Sequence, residues 1–144
     1  MFTALFRPRA GKALAVAALA LCVSACGGKQ RLPVFPVRGK VFFQGKPAAG
    51  AVVVLNRVGQ TDPTAVLPQG TVGTDGTFQV STYGKNDGAP AGDYAVSFVW
   101  LLTNSKTESE WTPLPRRYMV PGQSGVRVTV NEKVNELQPL QLRR

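Results

Sequence analysis

From residue 33 onward no stretch repeats its apolar residues every 3.6 positions. Instead, short runs rich in Val, Phe, Tyr and Thr recur between clusters of Gly, Pro, Asn and Asp. That rhythm suits strands and argues against amphipathic helices. The clearest run is 93–100, where Tyr94, Val96, Phe98 and Trp100 alternate with Ala95, Ser97 and Val99. Successive side chains of a strand point to opposite faces, so the aromatic set is expected to fill a core. The same alternation predicts a strand over 34–43, with Val37, Val41 and Phe43 inward and Arg38, Lys40 and Phe42 outward. It predicts two more near the end, 126–130 with Val126, Val128 and Val130 inward, and 137–142 with Leu140 and Leu142 inward.

Turn chemistry divides the remainder. Gln44-Gly45-Lys46-Pro47 reads as a turn, and 51–56 is almost continuously apolar, as in a strand covered on both faces. Asp75-Gly76 lies between the alternating segments 71–74 and 77–82 and predicts a hairpin with Phe78 and Val80 inward, because both turn residues tolerate positive φ. Segments 58–70, 83–92 and 101–120 read as loops, the last with a short strand or turn near 117–120. Pro139 has no N–H, so the final strand is expected at an edge or at a bulge. Seven strands in about 110 residues, with no room for covering helices, predict an all-β, antiparallel Greek-key sandwich of two sheets; a closed barrel is the alternative.

The first 25 residues follow another logic. Arg7, Arg9 and Lys12 precede an apolar run and then small residues, the three-part layout of a secretory signal. A membrane span needs roughly 20 apolar residues, and here Ser24, Gly27, Gly28 and Lys29 interrupt the run first. Val23-Ser24-Ala25-Cys26 resembles the lipobox of bacterial lipoproteins. The resemblance implies cleavage between Ala25 and Cys26 and a lipid on the Cys26 thiol. Ser24-Ala25 would equally serve an ordinary secretory cut. Residues 1–25 are thus expected to be a signal peptide, 26–33 a flexible tether and 34–142 the folded domain. The sequence holds two cysteines, and Cys22 falls in the discarded segment. With Cys26 lipidated no intramolecular disulfide is left, and the hydrophobic core must hold the domain unaided.

The chain has 17 Lys and Arg against 8 Asp and Glu; removing residues 1–25 takes away three cations and leaves 14 against 8. This excess suits anionic surfaces such as head groups or acidic polysaccharide, and equally a plain soluble surface. Nucleic acid is not an expected partner, since the basic residues are scattered without interleaved aromatics.

Several segments together resemble the carboxypeptidase-regulatory-like domains, transthyretin-like seven-stranded sandwiches found in small bacterial lipoproteins. They are Val37-Arg38-Gly39-Lys40-Val41, Gly45-Lys46-Pro47-Ala48-Ala49-Gly50-Ala51-Val52-Val53, Gly73-Thr74-Asp75-Gly76-Thr77-Phe78 and Gly92-Asp93-Tyr94-Ala95-Val96. Pro115-Arg116-Arg117-Tyr118 and Ser124-Gly125-Val126-Arg127-Val128-Thr129-Val130 add to the likeness. It implies a fold rather than a reaction.

The chain contains no His, which removes Ser-His-Asp and Cys-His catalysis and leaves little for zinc. No catalytic residue, cofactor or metal is expected. Asp87 with Asp93, or Glu108 with Glu110, could contribute oxygens to calcium, although solvated loop acids are the plainer reading. A Lys-Asn crosslink is disfavoured because Lys40 shares the outward face of Arg38. Trp100 continues an inward face and is expected in the core. Trp111, between Glu110 and Thr112, and Tyr118 are the aromatic candidates for a sugar-binding platform. The expected function is a non-enzymatic envelope lipoprotein, exported and held at the membrane through lipid on Cys26, whose sandwich is a structural or protein-interaction module. The alternative is a module that binds carbohydrate or cell-wall polysaccharide.

Overall fold

The computed structural model describes the backbone of residues 27–104 and 109–144, and side chains for 27–102 and 112–144. The chain divides into two compact units, 1–31 and 32–144. Of the first, residues 27–31 are described; they are exposed and carry no regular secondary structure. The second is an all-β sandwich, without an α-helix among the described residues.

Strand β1 (Val37–Phe43) runs the length of the first sheet. Gln44 and Gly45 both sit at positive φ, 51° and 78°, and make the two-residue turn into β2 (Lys46–Pro47). The second sheet has the order β4 (Gln69–Thr71), β3 (Val52–Arg57), β6 (Gly92–Val99), β9 (Arg127–Val130), antiparallel throughout. Strand β5 (Thr77–Gln79) pairs antiparallel with β1 and returns the chain to the first sheet. β7 (Leu102–Asn104) and β8 (Ser109–Trp111) form a separate hairpin, and a single 3-10 turn, η1, spans Arg116–Met119. β10 (Asn135–Glu136) and β11 (Leu140–Leu142) complete the first sheet.

The expected faces are present. Val37, Val41, Phe43, Phe78, Val80, Tyr94, Val96, Phe98, Val130 and Leu142 are all buried, Val126, Val128 and Leu140 pack against them half-buried, and Arg38 and Lys40 are exposed. Trp100 lies at the rim of this core, its ring edge-on to Phe43 and its Nε1–H donating to the Ala49 carbonyl at 3.0 Å.

Several expectations are corrected. The described residues form eleven short strands rather than seven. Pro36 has no N–H to donate, so β1 begins at Val37 and only a single bridge, Phe35 to Ala89, extends it backward. The loop expected over 101–120 contains the β7–β8 hairpin, while the turn expected near 117–120 is present as η1. The Asp75-Gly76 turn forms, with Gly76 at φ 86° and its N–H donating to Gly73 O at 3.0 Å. Its arms, however, join different sheets, β4 to β3 and β5 to β1, and meet again only at the bridge Gln69 to Ser81. The turn therefore forms a corner between the sheets.

The final segment also departs from a wholly antiparallel plan. β10 and β11 both run parallel to β1. The reason is directional: β9 runs antiparallel to β6, the turn after Val130 reverses the chain, and the reversed direction is that of β1. Buried Asn135 secures the crossing, its Nδ2 donating to the carbonyls of Asn131 (3.0 Å) and Lys133 (2.6 Å) and its Oδ1 accepting from Asn131 N–H (2.8 Å). The segment is interrupted around Pro139 and pairs only with β1, the edge placement that a missing N–H requires.

Candidate functional site

Ala25 and Cys26, expected to flank the cleavage site and to carry the lipid, lie outside the described residues. The folded unit starts at Leu32, whose N–H donates to the Tyr83 hydroxyl at 3.3 Å, and Phe35 exchanges two backbone hydrogen bonds with Ala89 (2.9 and 3.0 Å). Together these fix the point where the chain enters the sandwich, called here the entry pole. β1 leads from it to the far pole, about 20 Å away at roughly 3.3 Å per residue.

Asp87 organises the entry pole. Its carboxylate accepts the backbone N–H groups of Thr82 (2.7 Å), Tyr83 (3.0 Å) and Gly84 (2.8 Å). Partial burial alone would raise its pKa, but these three donors outweigh that and hold it below the ordinary carboxylate value. Asp87 is thus committed to its own loop, and Asp93 accepts from the Thr129 hydroxyl at 2.7 Å. Among the described residues no three potential ligands gather for a metal. Glu108 and the side chain of Glu110 lie outside the described set. Asp87→Asn removes the charge and one acceptor oxygen, and should cost about 1–2 kcal/mol at neutral pH. Because the folded pKa is lowered, the stability Asp87 adds is present above the unfolded value and fades as pH falls through the folded one. Urea titrations of both proteins at pH 7 and pH 3 should show the gap closing in acid; a constant gap would contradict the carboxylate cage.

Of the two aromatic candidates, the side chain of Tyr118 is described. Tyr118 is 6% exposed, its ring is edge-on to Phe98 at 6.1 Å, and its hydroxyl accepts the Arg143 N–H at 3.0 Å. It belongs to the core rather than to a sugar-binding surface, because η1 turns it inward over β6. Burial pushes the Tyr118 pKa up, but the Arg143 N–H and the Arg117 guanidinium more than reverse this, and the net shift is downward. The backbone of Trp111 pairs with Leu102, while its side chain lies outside the described residues.

An open concavity of about 530 Å³ lies at the corner where β4 and β5 part, lined by Gln69, Gly70, Thr71, Thr77 and Gln79 with Phe78. Its lining offers amide and hydroxyl hydrogen bonds but no acid-base pair. A smaller one of about 360 Å³ lies over Gly39 and Phe78 beside the exposed ion pair Arg38–Glu136 (3.0 Å). An ion pair so open to solvent contributes little to stability. In this second concavity Glu136 is engaged by Arg38 and the Thr77 hydroxyl donates to Asp75 at 2.7 Å.

Sequence reasoning missed two constellations, the Asp87 cage and the meeting of Arg117 with Arg143. Gly84, Asn86 and Gly88 around Asp87 signalled a tight loop, but three N–H groups converging on one carboxylate depend on its closed geometry.

No family model matches the chain, and no curated protein matches it. Similar solved structures include a DUF3823 family protein from Parabacteroides merdae, 18% identical with a TM-score of 0.39 over 78% of this chain and 46% of that one. Another is a 9R-lipoxygenase from Cyanothece, 12% identical with a TM-score of 0.41 over 80% of this chain and 18% of that one. The chain spans less than half the length of each.

Proposed function

We propose that this protein is an exported lipoprotein, cut before Cys26 and held at a membrane by lipid on that residue, with a non-enzymatic, carboxypeptidase-regulatory-like sandwich as a structural or protein-interaction module. The observation that carries the reading is Val23-Ser24-Ala25-Cys26 at the end of a charged-then-apolar leader, directly before Gly27-Gly28. Supporting it, residues 27–31 are exposed and irregular, as a tether would be, and the folded unit begins at Leu32. The non-enzymatic reading rests on the lack of His in the sequence, which removes the common Ser-His-Asp and Cys-His arrangements.

Lipid and charge make opposite predictions about attachment. Acyl chains bury methylene groups at about 0.8 kcal/mol each, and more than one chain gives stable anchoring. Salt shortens the Debye length to about 3 Å at 1 M and releases proteins held by charge alone. Washed membranes should therefore retain the wild type at 1 M salt, while exported Cys26→Ser appears in the soluble envelope fraction. Release of the wild type by salt would reject lipid as the anchor.

A further inference from the structure

Two arginine doublets, 26 positions apart in sequence, meet at the far pole. Leu142 pairs with Phe43, the last residue of β1, and its carbonyl accepts the Gln44 N–H at 3.0 Å, so Arg143 and Arg144 emerge at the end opposite Leu32. The 3-10 turn η1 docks beside them: the Arg143 N–H donates to the Tyr118 hydroxyl, and Arg117 Nη2 donates to the Arg143 carbonyl at 2.9 Å. Arg116, Arg117, Arg143 and Arg144 are all exposed, as is Lys46, paired with Phe43 on the other side of β1.

Arg117 is held in place before any ligand arrives. Its guanidinium carbon lies 4.8 Å from the centre of the Tyr118 ring, and its Nη2 is fixed on a backbone carbonyl. A guanidinium has five N–H donors, so others remain for an incoming oxyanion. Acidic side chains are segregated from this end. Among those described, Asp62, Asp87, Asp93, Glu132 and Glu136 belong to the loops and strand ends of the entry half. Asp75 reaches the far half, but both the hydroxyl and the N–H of Thr77 donate to it, at 2.7 and 3.1 Å.

We propose that this arginine pole is a binding surface for a phosphate-bearing polymer. Arginine forks match oxyanions that accept two parallel hydrogen bonds, and a chain with a phosphate on each repeat can engage several forks at once. Binding itself does not require the lipid and is independent of the lipoprotein reading.

The test uses the full chain in non-ionic detergent, with long-chain inorganic polyphosphate as probe and anisotropy as readout. A triple variant Arg116→Gln, Arg143→Gln, Arg144→Gln leaves Arg117 and the Tyr118 contacts in place. Its affinity should fall about tenfold or more, the sum of three exposed ion pairs. Lys85→Gln, Arg127→Gln, Lys133→Gln removes the same charge elsewhere and should change affinity about twofold or less. Circular dichroism confirms that both variants are folded. Equal losses in the two triples would reduce the effect to net charge and overturn the site. Absence of wild-type binding, or tighter binding of polygalacturonate than of polyphosphate, would also overturn it. Intact mass of the same preparation reports lipidation separately, so either proposal can fail alone.

Discussion

Phe98→Ala is expected to lower stability by about 3–5 kcal/mol, the usual loss for a fully buried aromatic. Phe98 is 0% exposed, lies opposite Val53 across the β3–β6 ladder and meets Tyr118 edge-on, so truncation would open a void between the sheets and free the packing of η1. Its neighbour Ser97 tests the register. Ser97 is also buried, and its hydroxyl accepts from Asn56 Nδ2 at 2.9 Å. That amide has the Ala95 and Val54 carbonyls as further acceptors at 3.1 and 3.2 Å, so Ser97→Ala should cost only about 1 kcal/mol. Denaturant titrations with unchanged slope measure both. Comparable losses at the two positions would mean that the β6 faces are assigned the wrong way round.

Gly88→Ala should be nearly as damaging, by about 2–4 kcal/mol, through backbone strain and overpacking. Gly88 sits at φ 100°, and a Cβ built there would overlap the Phe35 carbonyl. Its own N–H donates to Val80 O at 2.9 Å and its carbonyl accepts from Thr82 Oγ1 at 2.6 Å, so the residue cannot shift without breaking the loop. Displacing Phe35 instead would break its two bonds to Ala89. Gly59→Ala isolates the conformational part, because Gly59 has a comparable φ of 79° but open space around it. Thermal unfolding should place Gly88→Ala about 10 °C or more below the wild type, with Gly59→Ala much closer. Equal shifts would show that φ alone matters and that the contact with Phe35 does not.

The legible part of this fold is the part that alternation encodes. Tyr94, Val96 and Phe98 declared an inward face, and a core with no disulfide needs such residues buried. Pro139 likewise declared an edge, since a missing N–H is a local fact. What could not be read is which strand pairs with which. The Asp75-Gly76 signal describes four residues, whereas the destination of its arms depends on β1 and β3, whose partner residues lie 15 to 41 positions upstream. Parallel pairing of β10 and β11 depends on the direction of β9 and on the anchoring of Asn135, both products of the assembled sandwich. Tyr118 misled for a related reason: next to Arg116 and Arg117 in a proline-containing stretch it read as surface, and only η1 turns it into the core. The arginine pole was not read, because the basic residues look scattered along the chain and the meeting of Arg117 with Arg143 depends on the register that sets Leu142 beside Phe43.

The central claim is that Cys26 is both the first residue of the mature protein and the site of its lipid. Intact mass spectrometry of protein recovered from membranes, with sequencing of its amino-terminal peptide, tests this directly. The expected result is a chain beginning at Cys26 whose mass exceeds that of residues 26–144 by diacylglyceryl and acyl groups, and a Cys26→Ser chain without that addition. A mature chain that begins at Cys26 with no added lipid mass, or one that retains residues 1–25, would contradict it.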